Sequence, residues 1–169
     1  DRPVEHEELI AQPIYEARHI VCGTPTLRDR IAHDPADLDR SLCLGLLNEV
    51  RHDVNDWSLY RAGRHIRVHP RETKNFNSSD GLVAAALNGG DIIHVLDVFV
   101  NPYLNNSTLV DLYPDWKTDV RVFYAVGLKT RTTSEKVRAF VEFVLEVLDA
   151  QRRPLYAKPV QVRAWTKRR

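Results

Sequence analysis

The sequence predicts an α/β fold, and three observations lead there. Runs rich in β-branched residues, such as Arg18-His19-Ile20-Val21-Cys22-Gly23 and Ile92-Ile93-His94-Val95, alternate along the chain with helical patterns. Two of those patterns open on capping signatures, Asn77-Ser78-Ser79-Asp80 and Thr132-Thr133-Ser134-Glu135. Leu42 to Leu47 is almost unbroken in apolar residues, as a strand covered on both faces would be, which calls for an at least partly parallel sheet.

In chain order, Glu8 to Gln12 is expected as a short strand ended by Pro13, with Arg18 to Gly23 as a second. Asp34-Pro35 marks a helix start, because the carboxylate can accept from free amides and the proline lacks the amide that would be orphaned. Trp57–Arg61 and Arg64–Val68 flank Ala62-Gly63 and read as a β-hairpin. Behind Asp80, the residues Leu82, Val83, Ala86 and Leu87 fall at helical spacing, and Gly89 should end that helix through its ease in the left-handed conformation. Ile92 to Val95 is the next strand. A loop through Pro102 and Asn105-Asn106 then leads to Pro114-Asp115-Trp116, and Arg121 to Val126 is another strand. Val137, Phe140, Val141, Val144, Leu145 and Leu148 form one apolar stripe on a helix of about four turns.

The 169 residues are 43% hydrophobic and 28% charged with a mean hydropathy of −0.37, a core-forming composition that excludes wholesale disorder, collagen and coiled coil. That length suits one domain or two small lobes. No apolar run approaches a membrane span, and the first residues do not resemble a signal peptide. The absence of methionine marks the chain as an expected part of a longer one. Cys22 and Cys43 cannot build a disulfide scaffold and lack zinc-site spacing, so both are expected as buried thiols. Net charge is +1, but Arg152–Arg169 holds seven basic residues and no acidic one. The remainder therefore carries 17 basic against 23 acidic residues, and a body at −6 argues against nucleic-acid binding by the body itself.

Catalytic signatures are missing. There is no phosphate-binding loop, nucleophile elbow or His-Glu-x-x-His motif, and Gly89-Gly90 follows a helix rather than preceding one. His65, Arg67 and His69 share one face of a strand, and the arginine between the imidazoles disfavours a cation. No motif supports a Ser-His-Asp triad. No catalytic residue, metal or cofactor is expected.

The order of elements resembles a known family. Glu8-Leu9-Ile10-Ala11-Gln12-Pro13-Ile14, Arg18-His19-Ile20-Val21-Cys22-Gly23-Thr24-Pro25, His33-Asp34-Pro35-Ala36-Asp37-Leu38 and Cys43-Leu44-Gly45-Leu46 carry the first part. Trp57…Arg61-Ala62-Gly63-Arg64, Asn77 to Leu87, Asp97…Phe99-Val100-Asn101-Pro102-Tyr103-Leu104 and Leu109-Val110…Leu112-Tyr113-Pro114-Asp115-Trp116 continue it, and Val137 to Phe143 closes it. This series resembles the effector-binding domain of LysR-type transcriptional regulators. It departs from the family pattern at Asp91 and Leu96, where a glycine and a proline are common, and Thr24–Arg28 is one residue short.

The resemblance implies a cytoplasmic bacterial regulator with a two-lobed, periplasmic-binding-protein-like effector domain whose first lobe is incomplete in this chain. Residues 1–24 and 118–150 would be the remnant of the first lobe, 25–117 the second lobe, and 151–169 a basic tail. It also implies DNA binding through an N-terminal winged helix-turn-helix absent from these residues. A homo-oligomer would form partly through the helix carrying Ala84-Ala85-Ala86, although those alanines could equally pack on their own sheet. The other reading is a solute-binding protein of the same fold class.

Asn77, Ser78, Ser79 and Asp80 read first as a helix cap. By resemblance this helix start would also face the cleft between the lobes and hold a small polar or anionic metabolite. Asp80 would keep an anion nearer the hydroxyls. Leu47 and Asn48 would form another wall, Thr24 and Pro25 lie at a crossover, and Val126 and Gly127 follow the returning strand. Each of these six also fits a structural turn.

Overall fold

A computed structural model describes residues 9–48, 52–70, 74–128 and 134–150. The chain divides into two compact units, residues 18–120 and residues 1–17 with 121–169. Strand β1 (Leu9–Gly23) is followed by the short helix α1 (Pro25–Arg28) and two 3-10 turns, Pro35–Asp37 and Arg40–Leu42. Strands β2 (Gly45–Asn48), β3 (Asp53–Val54), β4 (Trp57–Arg61), β5 (Arg64–Val68) and β6 (Asn75–Phe76) come next. Helix α2 (Ser79–Asn88), β7 (Ile93–Leu96), α3 (Asp97–Asn105), β8 (Val110–Asp111) and β9 (Lys117–Thr118) complete the 18–120 unit. Strand β10 (Val120–Leu128) and helix α4 (Glu135–Ala150) follow.

One sheet runs β10-β1-β7, with β8 also on β1; the others run β3-β2-β6 and β5-β4-β9. β1 and β7 are antiparallel, with Cys22 opposite Ile93 and His19 opposite Leu96. β2 and β6 are parallel, with Gly45 opposite Asn75 and Leu46 opposite Phe76. A parallel bridge between Cys43 and Ile92 joins these two sheets, closed by Leu44 N–H to Ile92 O at 2.9 Å and Ile92 N–H to Leu42 O at 2.7 Å.

Period-two alternation then sorts the side chains into two cores. Ile20, Cys22, Leu44, Ile93 and Val95 meet Leu82, Val83 and Ala86 of α2 and Val100 and Leu104 of α3 on one side. Val21, Cys43 and Ile92 meet Leu27, Trp57, Leu59, Tyr113 and Trp116 on the other. Burying each large side chain stabilises by roughly 1.5–3 kcal/mol, so α2 is held by its packed face more than by helix propensity. Leu44 in one core and Cys43 in the other meet the expectation of an apolar run covered on both faces. The run itself is not one strand, because Asp39 accepts from Ser41 N–H at 2.9 Å and winds Arg40–Leu42 into a turn.

The hairpin forms as expected, with Trp57 opposite Val68 through Arg61 opposite Arg64. Ala62 (φ 47°) and Gly63 (φ 80°) both adopt the left-handed conformation that a two-residue hairpin turn requires. Asp34 accepts from Ala36 N–H at 3.0 Å, but the element it starts is a single 3-10 turn. Both cysteines are buried free thiols, and burial pushes both upward, Cys43 to about 12.

Three further expectations need correction. Pro13 does not end a strand: β1 runs unbroken through it from Leu9 to Gly23, while its pairing with β7 covers only His19–Cys22. The segment around Pro102 is helix α3 rather than loop, since burying Val100, Asn101 and Leu104 overrides the proline. Gly89 ends α2 in an extended conformation (φ −126°), not a left-handed one. Helix α4 forms over about four turns as expected, with Val141, Val144, Leu145 and Leu148 half-buried and Phe140 66% exposed. Glu8, Thr132, Thr133 and the basic tail lie outside the described residues.

Candidate functional site

The best-built candidate is the start of α2. Ser78 is extended (φ −135°), and its hydroxyl accepts from Gly81 N–H at 3.1 Å. Its carbonyl accepts from Leu82 N–H at 3.2 Å. These two bonds leave the amides of Ser79 and Asp80, in the first helical turn, as donors outside the helix ladder. Asn77, Ser78 and Asp80 are exposed and Ser79 half-buried, so hydroxyls, amides and the partial positive charge of a helix start meet solvent together. Sequence reasoning left open which serine caps; the geometry gives that role to Ser78.

Topology decides which other candidates join them. Because β2 and β6 are parallel, the C-terminal end of β2 lies beside the end of β6 that leads into Asn77-Ser78. Leu47 and Asn48 therefore stand on the same sheet edge as the α2 start, and Asn48 also donates to Asn55 Oδ1 at 3.5 Å. Gly45 permits that strand spacing, since a Cβ there would collide with Asn75 Oδ1 and lie 2.5 Å from Val54 Cγ1.

Thr24 and Pro25 fall elsewhere. β1 runs antiparallel to β7, so its C-terminal end sits beside the beginning of β7, at the opposite sheet edge from Leu47 and Asn48. There Thr24 lies 3.1 Å from Thr26, hydroxyl to hydroxyl, and Pro25 opens α1. Val126 and Gly127 belong to the other unit. With Ile14 and residues of α4, including Val137, Phe140 and Val144, they line an apolar cavity of about 290 Å³.

The α2 edge also holds residues that sequence patterning missed. His19 lies opposite Leu96 at the end of β7, its Nδ1 3.3 Å from the carbonyl of Asp119, and Thr118 Oγ1 donates to its carbonyl. His19 stacks on His94 at 4.6 Å, and His94 stacks on Trp57 at 5.5 Å. Burial, and then the neighbouring His19, hold His94 well below the usual histidine range. Cross-strand register sets His19 beside His94 and the packing of a separate sheet brings Trp57 to them, and neither is written in the local pattern.

The hairpin histidines have local partners. His65 stacks on Tyr60 at 4.4 Å, and Asp56 takes His69 at 2.5 Å and Arg67 at 3.6 Å. Among the described residues no group of three His, Cys, Asp or Glu could hold a metal ion, and no helix is long and apolar enough to cross a membrane.

Solved structures with this architecture are two-lobed α/β regulatory domains. The regulatory domain of AphB from Vibrio vulnificus aligns with a TM-score of 0.68 at 24% identity, covering 86% of this chain and 73% of that one. The regulatory domain of CrgA from Neisseria meningitidis, a LysR-type transcriptional regulator, aligns at 0.67 and 20% identity, covering 87% and 72%. Full-length AphB from Vibrio cholerae, a virulence activator, aligns at 0.67 and 22% identity, and the match covers 85% of this chain but 49% of that one. At these identities the likeness carries the fold: a two-lobed domain, of which this chain supplies part. The family follows from the sequence, since the LysR substrate binding domain model matches residues 1–149. The chain belongs to that family. Comparison with curated proteins finds no match.

Proposed function

We propose that this chain is the effector-sensing part of a LysR-type transcriptional regulator and that a small polar or anionic metabolite binds at the start of α2. The observation that carries this reading is the capped helix start. Ser78 holds the helix with its oxygen, and the amides of Ser79 and Asp80 stay outside the ladder beside Leu47 and Asn48. Such a start favours negative charge and offers donors at no cost to the fold. Residues 18–120 would be the second lobe, and the other unit would belong to the first.

Binding there would shift a population of lobe arrangements by a few kcal/mol at most, with no chemical step. The shift would be read out in the cytoplasm by an N-terminal winged helix-turn-helix on DNA, in a homo-oligomer. Ala86 and Ala85 of α2 pack on its own core while Ala84 is exposed, so any helix pairing would use the Ala84 side. A thermal-shift screen of organic acids against wild type, Ser78→Ala and Ser79→Ala tests the site. A ligand that stabilises wild type and both variants equally places binding elsewhere.

A further inference from the structure

The 18–120 unit contains a second cavity, of about 640 Å³, bounded by α1, the residues after it and the Leu112–Trp116 segment. Its apolar lining is Ile31, Leu112, Tyr113 and Trp116, side chains of the core that contains Trp57. Helix α2 packs in the other core, across β1 and β7, so the cavity is separate from the Ser78 site. Tyr113 and Trp116 are fixed walls: both are buried, and the Tyr113 hydroxyl donates to the Ala32 carbonyl at 2.9 Å.

Charges of both signs line the same space. Arg28 and Arg61 supply guanidiniums, Asp29 and Asp115 carboxylates, and His33 lies among them. The ion pairs among the described residues use none of those four charged side chains. The arginines are nonetheless positioned. Arg28 donates to the Asp111 carbonyl at 3.3 Å, and the Arg61 guanidinium lies 5.8 Å from the centre of the Trp116 ring. Arg64, on the same ring at 5.6 Å, is neutralised by Asp34 at 2.9 Å. An arginine over the face of an indole can still present N–H groups to a carboxylate.

We infer that this cavity binds a zwitterionic small molecule with an apolar body, the chemistry of a free amino acid with an aromatic or aliphatic side chain. Its carboxylate meets Arg61, its ammonium group meets Asp115 or Asp29, and its side chain lies against Leu112, Tyr113 and Trp116. A simple anion would leave the carboxylates facing its charge, and a simple cation would leave the guanidiniums so. A zwitterion satisfies both signs.

The test uses the 169-residue chain labelled with ¹⁵N and three matched probes: L-phenylalanine, 3-phenylpropionate, which lacks the ammonium group, and 2-phenylethylamine, which lacks the carboxylate. The Trp116 indole N–H signal is assigned by its loss in Trp116→Phe. Phenylalanine is expected to shift that signal saturably, and each half-analogue to bind at least about tenfold more weakly, as one lost charge-assisted contact implies. Arg61→Gln and Asp115→Asn, both at exposed positions, should each weaken phenylalanine binding by a similar factor, while Ser79→Ala leaves it unchanged. No saturable shift with phenylalanine overturns the inference. So does equal binding of 3-phenylpropionate, or wild-type affinity in both Arg61→Gln and Asp115→Asn. Because Ser79 is outside this cavity, none of these results bears on the α2 site.

Discussion

Replacing Ser78 by alanine should lower the stability of the 18–120 unit by about 1 kcal/mol, whereas Ser79→Ala should change it by less than about 0.5 kcal/mol. The two serines are neighbours of the same type, and only geometry separates them. Ser78 Oγ accepts from Gly81 N–H at 3.1 Å, so truncation removes one capping bond and orphans one amide of the first turn. The site is exposed and water can replace part of that bond, which holds the loss near the middle of the ~0.5–2 kcal/mol range for caps. Ser79 is the first helical residue, and no capping bond passes through its hydroxyl. Ser78→Asp should recover most of the loss, since a carboxylate caps well and suits the helix dipole. Urea unfolding followed by far-UV circular dichroism measures these differences. For a unit of this size a 1 kcal/mol loss also lowers Tm by about 4–8 °C. Equal destabilisation by both alanines, or a neutral Ser78→Ala, would refute the assignment of the cap to Ser78.

Gly45→Ala should destabilise by about 1–3 kcal/mol, because the added carbon would collide with Asn75 Oδ1 and Val54 Cγ1 where β2 lies between β3 and β6; an unchanged urea midpoint would contradict that spacing. Ala62→Asn should stabilise by about 0.5–1 kcal/mol, since Ala62 is left-handed (φ 47°) in an exposed turn and asparagine tolerates that conformation better; thermal melts of the pair decide it. His94 gives a pH dependence of defined sign. Burial, then His19, lowers its pKa in the folded state from an ordinary value of 6.5, so the unfolded chain takes up the proton first. Its contribution is full above about pH 6.5 and is lost as pH falls toward the folded value, at up to about 1.4 kcal/mol per pH unit. His94→Phe removes that component, so the stability difference between wild type and variant should change between pH 8 and pH 5; a constant difference refutes it.

Local rules in the sequence determined much of this protein. The Ala62-Gly63 hairpin, the Asp34 cap and a helix start within Asn77–Asp80 each depend on a few adjacent residues with one good local solution. The family was legible for a related reason, since many short segments kept their order and spacing over residues 1–149. What the sequence misplaced were cases where distant packing outweighed local preference. Pro13 lies within the 15-residue strand β1, and Pro102 lies within a helix because Val100 and Leu104 are buried.

The candidate site divides the same way. Asn77 to Asp80 are contiguous, so the sequence showed them as a group. That Leu47 and Asn48 join them while Thr24 and Pro25 go to the opposite edge follows from one parallel and one antiparallel pairing. The β1–β7 pairing also stacks His19 on His94, 75 residues away in sequence, and the antiparallel β4–β9 pairing brings Arg61 onto Trp116. Strand direction and register are settled by the burial of whole faces, and no short window of sequence contains that information. Residue types and caps were therefore fixed locally, while the company each residue keeps was decided by the tertiary structure.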